Sequence, residues 1–207
     1  MLLQSFMKEH YPNLLLRPPL FYRANVGIRF ELGHFTEGVH TISDARYLQG
    51  SYERARLLFE ALHAPEDEIF IVMDVWHDEK GTFLTSKLKN YRRYVAKEWL
   101  FKLNVQTIAL HEEEGSIERF SLKCRTSDVQ YSKLLKDICR QDLGMQPNLF
   151  HPVYVINMRT NTLFYVYDDR GCDVVATSVE TLRPIYERYN EWILAYDRAQ
   201  IDGLFNV

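Results

Sequence analysis

Apolar and polar positions recur along this chain with two periods, and the switches between them mark out its elements. Val26, Ile28, Phe30 and Leu32 are separated by Gly27, Arg29 and Glu31, the period of two expected of a strand covered on one face. The pattern predicts that Arg29 and Glu31 lie on a solvated face. Residues 2–10 instead gather Leu2, Leu3, Phe6 and Met7 on one side of a short helix that Pro12 ends. From Asp44 to His63, the residues Tyr47, Ser51, Ala55, Leu58, Phe59 and Leu62 fall at helical spacing, with Asp44 as N-cap and Pro65 just past the end. The run from Glu68 to Trp76 is almost wholly apolar and β-branched, which predicts a central strand buried on both faces.

Residues 84–95 read as helix, 101–110 as a strand, and Glu118 to Arg125 as another strand. Asp128 is placed to cap a helix to about Leu143 that Gly144 closes. Val153 to Met158 and Thr162 to Tyr167 flank Arg159-Thr160-Asn161 and predict a β-hairpin. Asp168-Asp169-Arg170-Gly171 reads as a tight turn with Gly171 in the left-handed region, and Asp173 to Ala176 as a strand. Thr177 with Glu180 reads as a capping box. Helical spacing then runs from Leu182 to Ile193, with Pro184 in a first turn, and Asp197 recaps a last helix ending near Phe205. Helices and strands do not alternate regularly, and the hairpins come late. The order predicts an α+β fold: one domain over 1–207, with a mixed or mostly antiparallel sheet, a C-terminal hairpin or meander, and flanking helices.

Composition adds exclusions. Hydrophobic residues are 46% and charged residues 26%, values of an ordinary globular chain. The first residues have neither a basic n-region nor an apolar h-region, so no signal peptide is expected. No window approaches 18 apolar residues, so no membrane span is expected. Cys124, Cys139 and Cys172 are odd in number and widely spaced, which predicts buried thiols in a reducing cytoplasm.

The carboxyl-terminal third carries a resemblance. Tyr167-Asp168-Asp169-Arg170-Gly171 is followed by Leu182-Arg183-Pro184-Ile185-Tyr186 and by Trp192 to Arg198. This series resembles the bacterial family catalogued as domain of unknown function 3885. Arg29 to Gly33 and the helix through Arg54, Ala55, Phe59 and Glu60 are similar to the amino-terminal half of its longer members. The resemblance implies family membership and no activity.

Chemistry has few candidate positions. Asp168, Asp169, Arg170 and Asp173 stand at a strand end, where carboxylates and a guanidinium can grip a cation or a phosphate. The competing reading is a structural turn, with Arg170 paired to a carboxylate such as Glu31. Arg29 and Glu31 are either solvated charges or the other wall of the same cleft. The seven histidines show no metal-ligand spacing, and the sequence has no nucleophile elbow, no P-loop and no dinucleotide fingerprint, so neither cofactor nor metal is expected. Cys172, beside Arg170, is the one position for a thiol nucleophile, and a structural thiol is the simpler reading.

Charge is uneven even though the whole chain is only −3. Residues 60–79 hold seven acids and no Lys or Arg, whereas 80–102 hold seven basic residues against Glu98. Lys87, Lys89, Arg92, Arg93 and Lys97, interleaved with Tyr91, Tyr94 and Trp99, form a basic stretch that suits an acidic protein partner. It also has the parts for holding nucleic acid, against which the whole-chain acidity weighs. Three functions follow as expectations. The first is a non-enzymatic protein-interaction module with a protein partner, of which an immunity-type protein capping a toxin is a specific form. The second is an enzyme or small-ligand domain with its site at Arg29, Glu31 and the Asp168–Asp173 turn. The third is nucleic-acid binding through 87–102.

Overall fold

β2 (Glu68–His77) is the hub of the sheet because its apolar residues face both ways. Ile69, Ile71 and Met73 enter one core, while Phe70 and Val72 enter another. The computed structural model describes residues 2–35, 45–77, 91–109 and 116–206. Among these, seven strands form one sheet in the order β1-β7-β6-β5-β2-β4-β3. They are β1 (Gly27–Glu31), β2, β3 (Asn104–Ala109), β4 (Ser116–Arg125), β5 (Val153–Asn157), β6 (Thr162–Val166) and β7 (Gly171–Ala176). Every pairing is antiparallel, so the fold is α+β.

Helices cover one face. α2 (Ala45–Leu62), α3 (Tyr131–Cys139), α4 (Val179–Arg188) and α5 (Arg198–Phe205) bury Leu58, Phe59, Leu134, Leu182 and Ile201 against Ile28, Phe30, Phe164 and Val174. α1 (Leu3–His10) and the strap that follows it, residues 11–24, cover the opposite face. There Leu3, Phe6, Tyr11, Leu16 and Leu20 pack on Phe70, Val72, Tyr154, Ile156, Leu163 and Tyr165. Strand alternation therefore sends Arg29, Asp173 and Val175 under the strap, and Ile28, Phe30, Cys172 and Val174 under the helices.

Two cross-strand ion pairs fasten the strap. Arg119 and Asp74 face each other across β4 and β2, and the Arg119 guanidinium also donates to the Leu16 carbonyl at 2.6 Å. Arg29 and Asp173 face each other across β1 and β7, and Asp173 Oδ2 accepts the Phe21 N–H at 2.9 Å. Charges taken from water are stabilised only where such partners are supplied.

Several local expectations change. Asp128 accepts the Arg125 N–H and so closes the short 3-10 turn Thr126–Asp128 rather than a helix. α3 begins at Tyr131 and stops at Cys139, well before Leu143. α4 is capped by Ser178, whose hydroxyl accepts the Thr181 N–H, and not by Thr177. Pro184 lies in its interior, and the helix ends at Arg188, with Asn190–Trp192 turning as 3-10. Gly171 does not adopt a positive φ, as Gly144 and Asn161 do. The cap expected at Asp44 and most of the helix expected at 84–95 lie outside the described residues.

The two sheet edges differ. β1 is covered by the segment after α4, where Ile193 bridges Phe30 and the Leu194 N–H donates to the Arg29 carbonyl at 2.9 Å. β3 has no strand partner on its outer side among the described residues, and Val105 is half exposed on it.

Candidate functional site

The structure divides the predicted Arg29, Glu31 and Asp168–Asp173 cleft into two places. Arg29 and Asp173 meet under the strap, with Arg29 Nε 3.0 Å from Asp173 Oδ1. Glu31 stays exposed, and its carbonyl accepts from Arg54. Asp168, Asp169 and Arg170 form the β6–β7 turn, tied largely to one another and to the helix side. The Arg170 N–H donates to Asp168 Oδ1 at 2.7 Å, and its guanidinium grips Asp168 and reaches Asp142 at 3.1 Å. Arg170 therefore pairs with Asp168 and Asp142, not with Glu31. Asp169 Oδ2 accepts the Tyr47 hydroxyl of α2 at 2.9 Å, and burial raises its carboxyl above the usual range. The Arg170 carbonyl accepts the N–H groups of Leu32 and Gly33.

Glycine is required at Gly171 by close approach. A Cβ there would lie 2.8 Å from the Phe30 carbonyl oxygen and run into the Tyr167 phenol. The Tyr-Asp-Asp-Arg-Gly series is thus a self-bonded corner: Tyr167 lies on Gly171, Asp168 holds Arg170, and Asp169 holds Tyr47.

Under the strap a small polar network surrounds Arg29. Asp173 is fully buried, and burial raises its carboxyl while the Arg29 bond opposes that rise. Arg29 Nη1 donates to the Tyr22 hydroxyl at 3.1 Å and lies 3.5 Å from Asp197 Oδ2. The Tyr22 hydroxyl in turn donates to Asp197 Oδ1 at 2.9 Å. Burial and the Asp197 bond both raise the Tyr22 phenol. The guanidinium also lies 4.6 Å from the Tyr22 ring centroid and 5.6 Å from that of Tyr167. Such contacts suit a cation held against aromatic faces. Beside it opens a hollow of about 200 Å³, lined by Pro18, Pro19, Arg29, Tyr165, Tyr167 and Asp173. Tyr22 is half exposed, and Tyr196, close enough to act on its phenol, is 87% exposed.

Sequence reasoning missed Tyr22, Tyr196, Asp197 and the proline pair as parts of this place. Tyr22 and Asp197 are 175 residues apart, so no spacing links them. One signal was present. Asp173 stands inside the apolar run Cys172-Asp173-Val174-Val175, where a carboxylate needs a buried partner.

The basic stretch is also divided. Arg93 Nε and Nη2 both donate to Asp137 Oδ2, which the Tyr94 hydroxyl shares at 2.9 Å. Tyr91 and Tyr94 are buried, and Tyr91 donates to the Ile71 and Phe120 carbonyls, so neither ring is open for stacking. Arg92 and Lys97 are exposed, while Lys87 and Lys89 lie outside the described residues. The three thiols are buried: burial pushes Cys124 up to about 12, and Cys139 and Cys172 also upward. Such thiols make poor nucleophiles. Among the described residues no group of three or more His, Cys, Asp or Glu is placed to hold a metal, and no helix is long and apolar enough to cross a membrane.

A family model described as "Domain of unknown function (DUF3885)" matches residues 3–197. The chain is similar to "Uncharacterized protein YnaE" of Bacillus subtilis (strain 168), with 28% identity over 209 residues that cover 93% of this chain and 97% of the relative. No solved structure matches.

Proposed function

The chain belongs to the family of domain of unknown function 3885, and on that premise we propose that it is a non-enzymatic protein-interaction module of the cytoplasm. One contrast carries this reading. The charged side chains under the strap and at the β6–β7 turn are bonded to one another, whereas nearly all of Tyr196 and half of Tyr22, which contacts Arg29, stand in solvent. Tyrosine and arginine are the residues that most often anchor protein partners. The hollow is smaller than the roughly 300–1,000 Å³ of small-molecule sites. Buried, unpaired cysteines support a reducing compartment. An immunity-type protein that caps a toxin is the specific form of this reading, and its partner is then that toxin.

The test is retention of a partner from bacterial extract on the immobilised chain at moderate salt. Tyr196→Ala should release the partner with the unfolding midpoint nearly unchanged, because its ring is largely in solvent, and Tyr22→Ala should release it at a lowered midpoint, because its hydroxyl also bonds Arg29 and Asp197. A partner retained equally by both variants, or none above background, counts against the proposal.

A further inference from the structure

We infer that the hollow beside Arg29 receives an uncharged apolar residue of the partner together with one of its backbone carbonyls. This inference names the chemistry of one contact and rests on the interaction reading above. Four of the six lining residues are Pro18, Pro19, Tyr165 and Tyr167. Prolines have no N–H to offer, and the tyrosines add ring surface, so these walls favour an apolar group.

The two charged residues in the wall decide the rest. Both Asp173 oxygens already accept, one from Phe21 N–H and one from Arg29 Nε. Asp173 therefore presents no unused oxygen. Arg29 differs, because a guanidinium carries five N–H donors. Nε is bound to Asp173 and Nη1 to Tyr22, but Nη2 donates to no acceptor among the described residues. The Arg29 side chain keeps 13% exposure and lines the hollow, so this donor is free for a carbonyl oxygen that enters there in place of water.

Charge selects which acceptor. Arg29 contributes +1, and Asp173 and Asp197, at 3.0 and 3.5 Å from it, contribute −2, so the cluster is −1. A carboxylate or phosphate entering here meets two carboxylates in a poorly solvated place. An amide carbonyl carries no net charge and meets no such repulsion. About 200 Å³ holds one side chain with its adjoining peptide group.

The probe is N-acetyl-leucine methylamide, titrated into the full chain and followed by NMR at the Tyr165 and Tyr167 rings. N-acetylleucine and inorganic phosphate serve as charged comparators. The amide should bind at least about fivefold more tightly than either, with intermolecular Overhauser contacts to both rings. Arg29→Lys, which keeps the charge and removes Nη2, should weaken the amide by roughly tenfold. The Overhauser contacts in the unaltered chain carry the test if that variant does not fold. Tighter binding of phosphate or carboxylate, or ring signals that do not move, overturns the inference. A partner that is retained through Tyr196 while the hollow ignores the amide sinks this inference and leaves the interaction reading standing. An amide bound at both rings with no protein partner retained upholds the hollow's chemistry and sinks that reading.

Discussion

At Gly171 a missing side chain decides how the β6–β7 corner closes. The Tyr167 phenol occupies the space a Cβ would take, and the Phe30 carbonyl closes the other side. Gly171→Ala should lower stability by roughly 1–3 kcal/mol, as overpacking does, measured as a drop in urea midpoint at constant slope. An unchanged midpoint would show that Tyr167 moves aside freely. His63 makes a second residue-scale case. It is buried against Phe59, with Nδ1–H donating to the Phe59 carbonyl at 2.8 Å, and burial lowers its pKa from 6.5 to about 4. The unfolded chain therefore takes up the proton first. His63's contribution is complete above pH 6.5 and fades as pH falls toward 4, by on the order of 3 kcal/mol in all. Urea midpoints of the native chain minus those of His63→Phe should fall between pH 7 and 4.5, and a flat difference would remove His63 as the cause. Asp67, which Arg159 holds well below the usual carboxylate range, loses its own contribution only at lower pH.

At the scale of elements, the strands were legible because their periods are local. The apolar run of β2 and the alternation of β1 declare themselves within ten residues, and the Arg159–Asn161 hairpin within about fifteen. Helix ends were less so, because the caps compete. Asp128 serves the Arg125 N–H, and Ser178 takes the cap expected of Thr177. Half of the candidate site was hidden for the same kind of reason. Arg29 looked solvated because the strap that buries it has no period to announce where it lies. The Asp168–Gly171 turn showed in the sequence, but its partners Tyr47 and Asp142 did not. Edge protection makes a prediction of its own. Leu194→Pro removes the N–H that caps β1 at the Arg29 carbonyl and should cost about 1–3 kcal/mol. Amide exchange should accelerate in β1 more than in β2, and equal acceleration would mean that the segment is not what shields that edge.

For the whole molecule, one sheet serves two cores, and the strap side is the thinner of them. Removing residues 1–20 would uncover Phe70, Val72, Tyr154, Ile156, Leu163 and Tyr165 together. That is a contiguous apolar face of the kind that drives association. The truncated chain should bind a hydrophobic dye and aggregate at concentrations where the full chain is clear. A soluble truncation with the native midpoint would show that the sheet needs no cover there.

The same arrangement orders events during synthesis. β1 leaves the ribosome long before its ladder partner β7, with Gly27 opposite Val175, and Tyr22 waits for Asp197. No segment between them supplies that ladder, so β1 and the strap stay sticky until β7 and Asp197 have been translated. Such distant closure is slow and leaves apolar surface open meanwhile. In the living cell, holdase chaperones should be found on nascent chains of this protein until β7 and Asp197 have emerged.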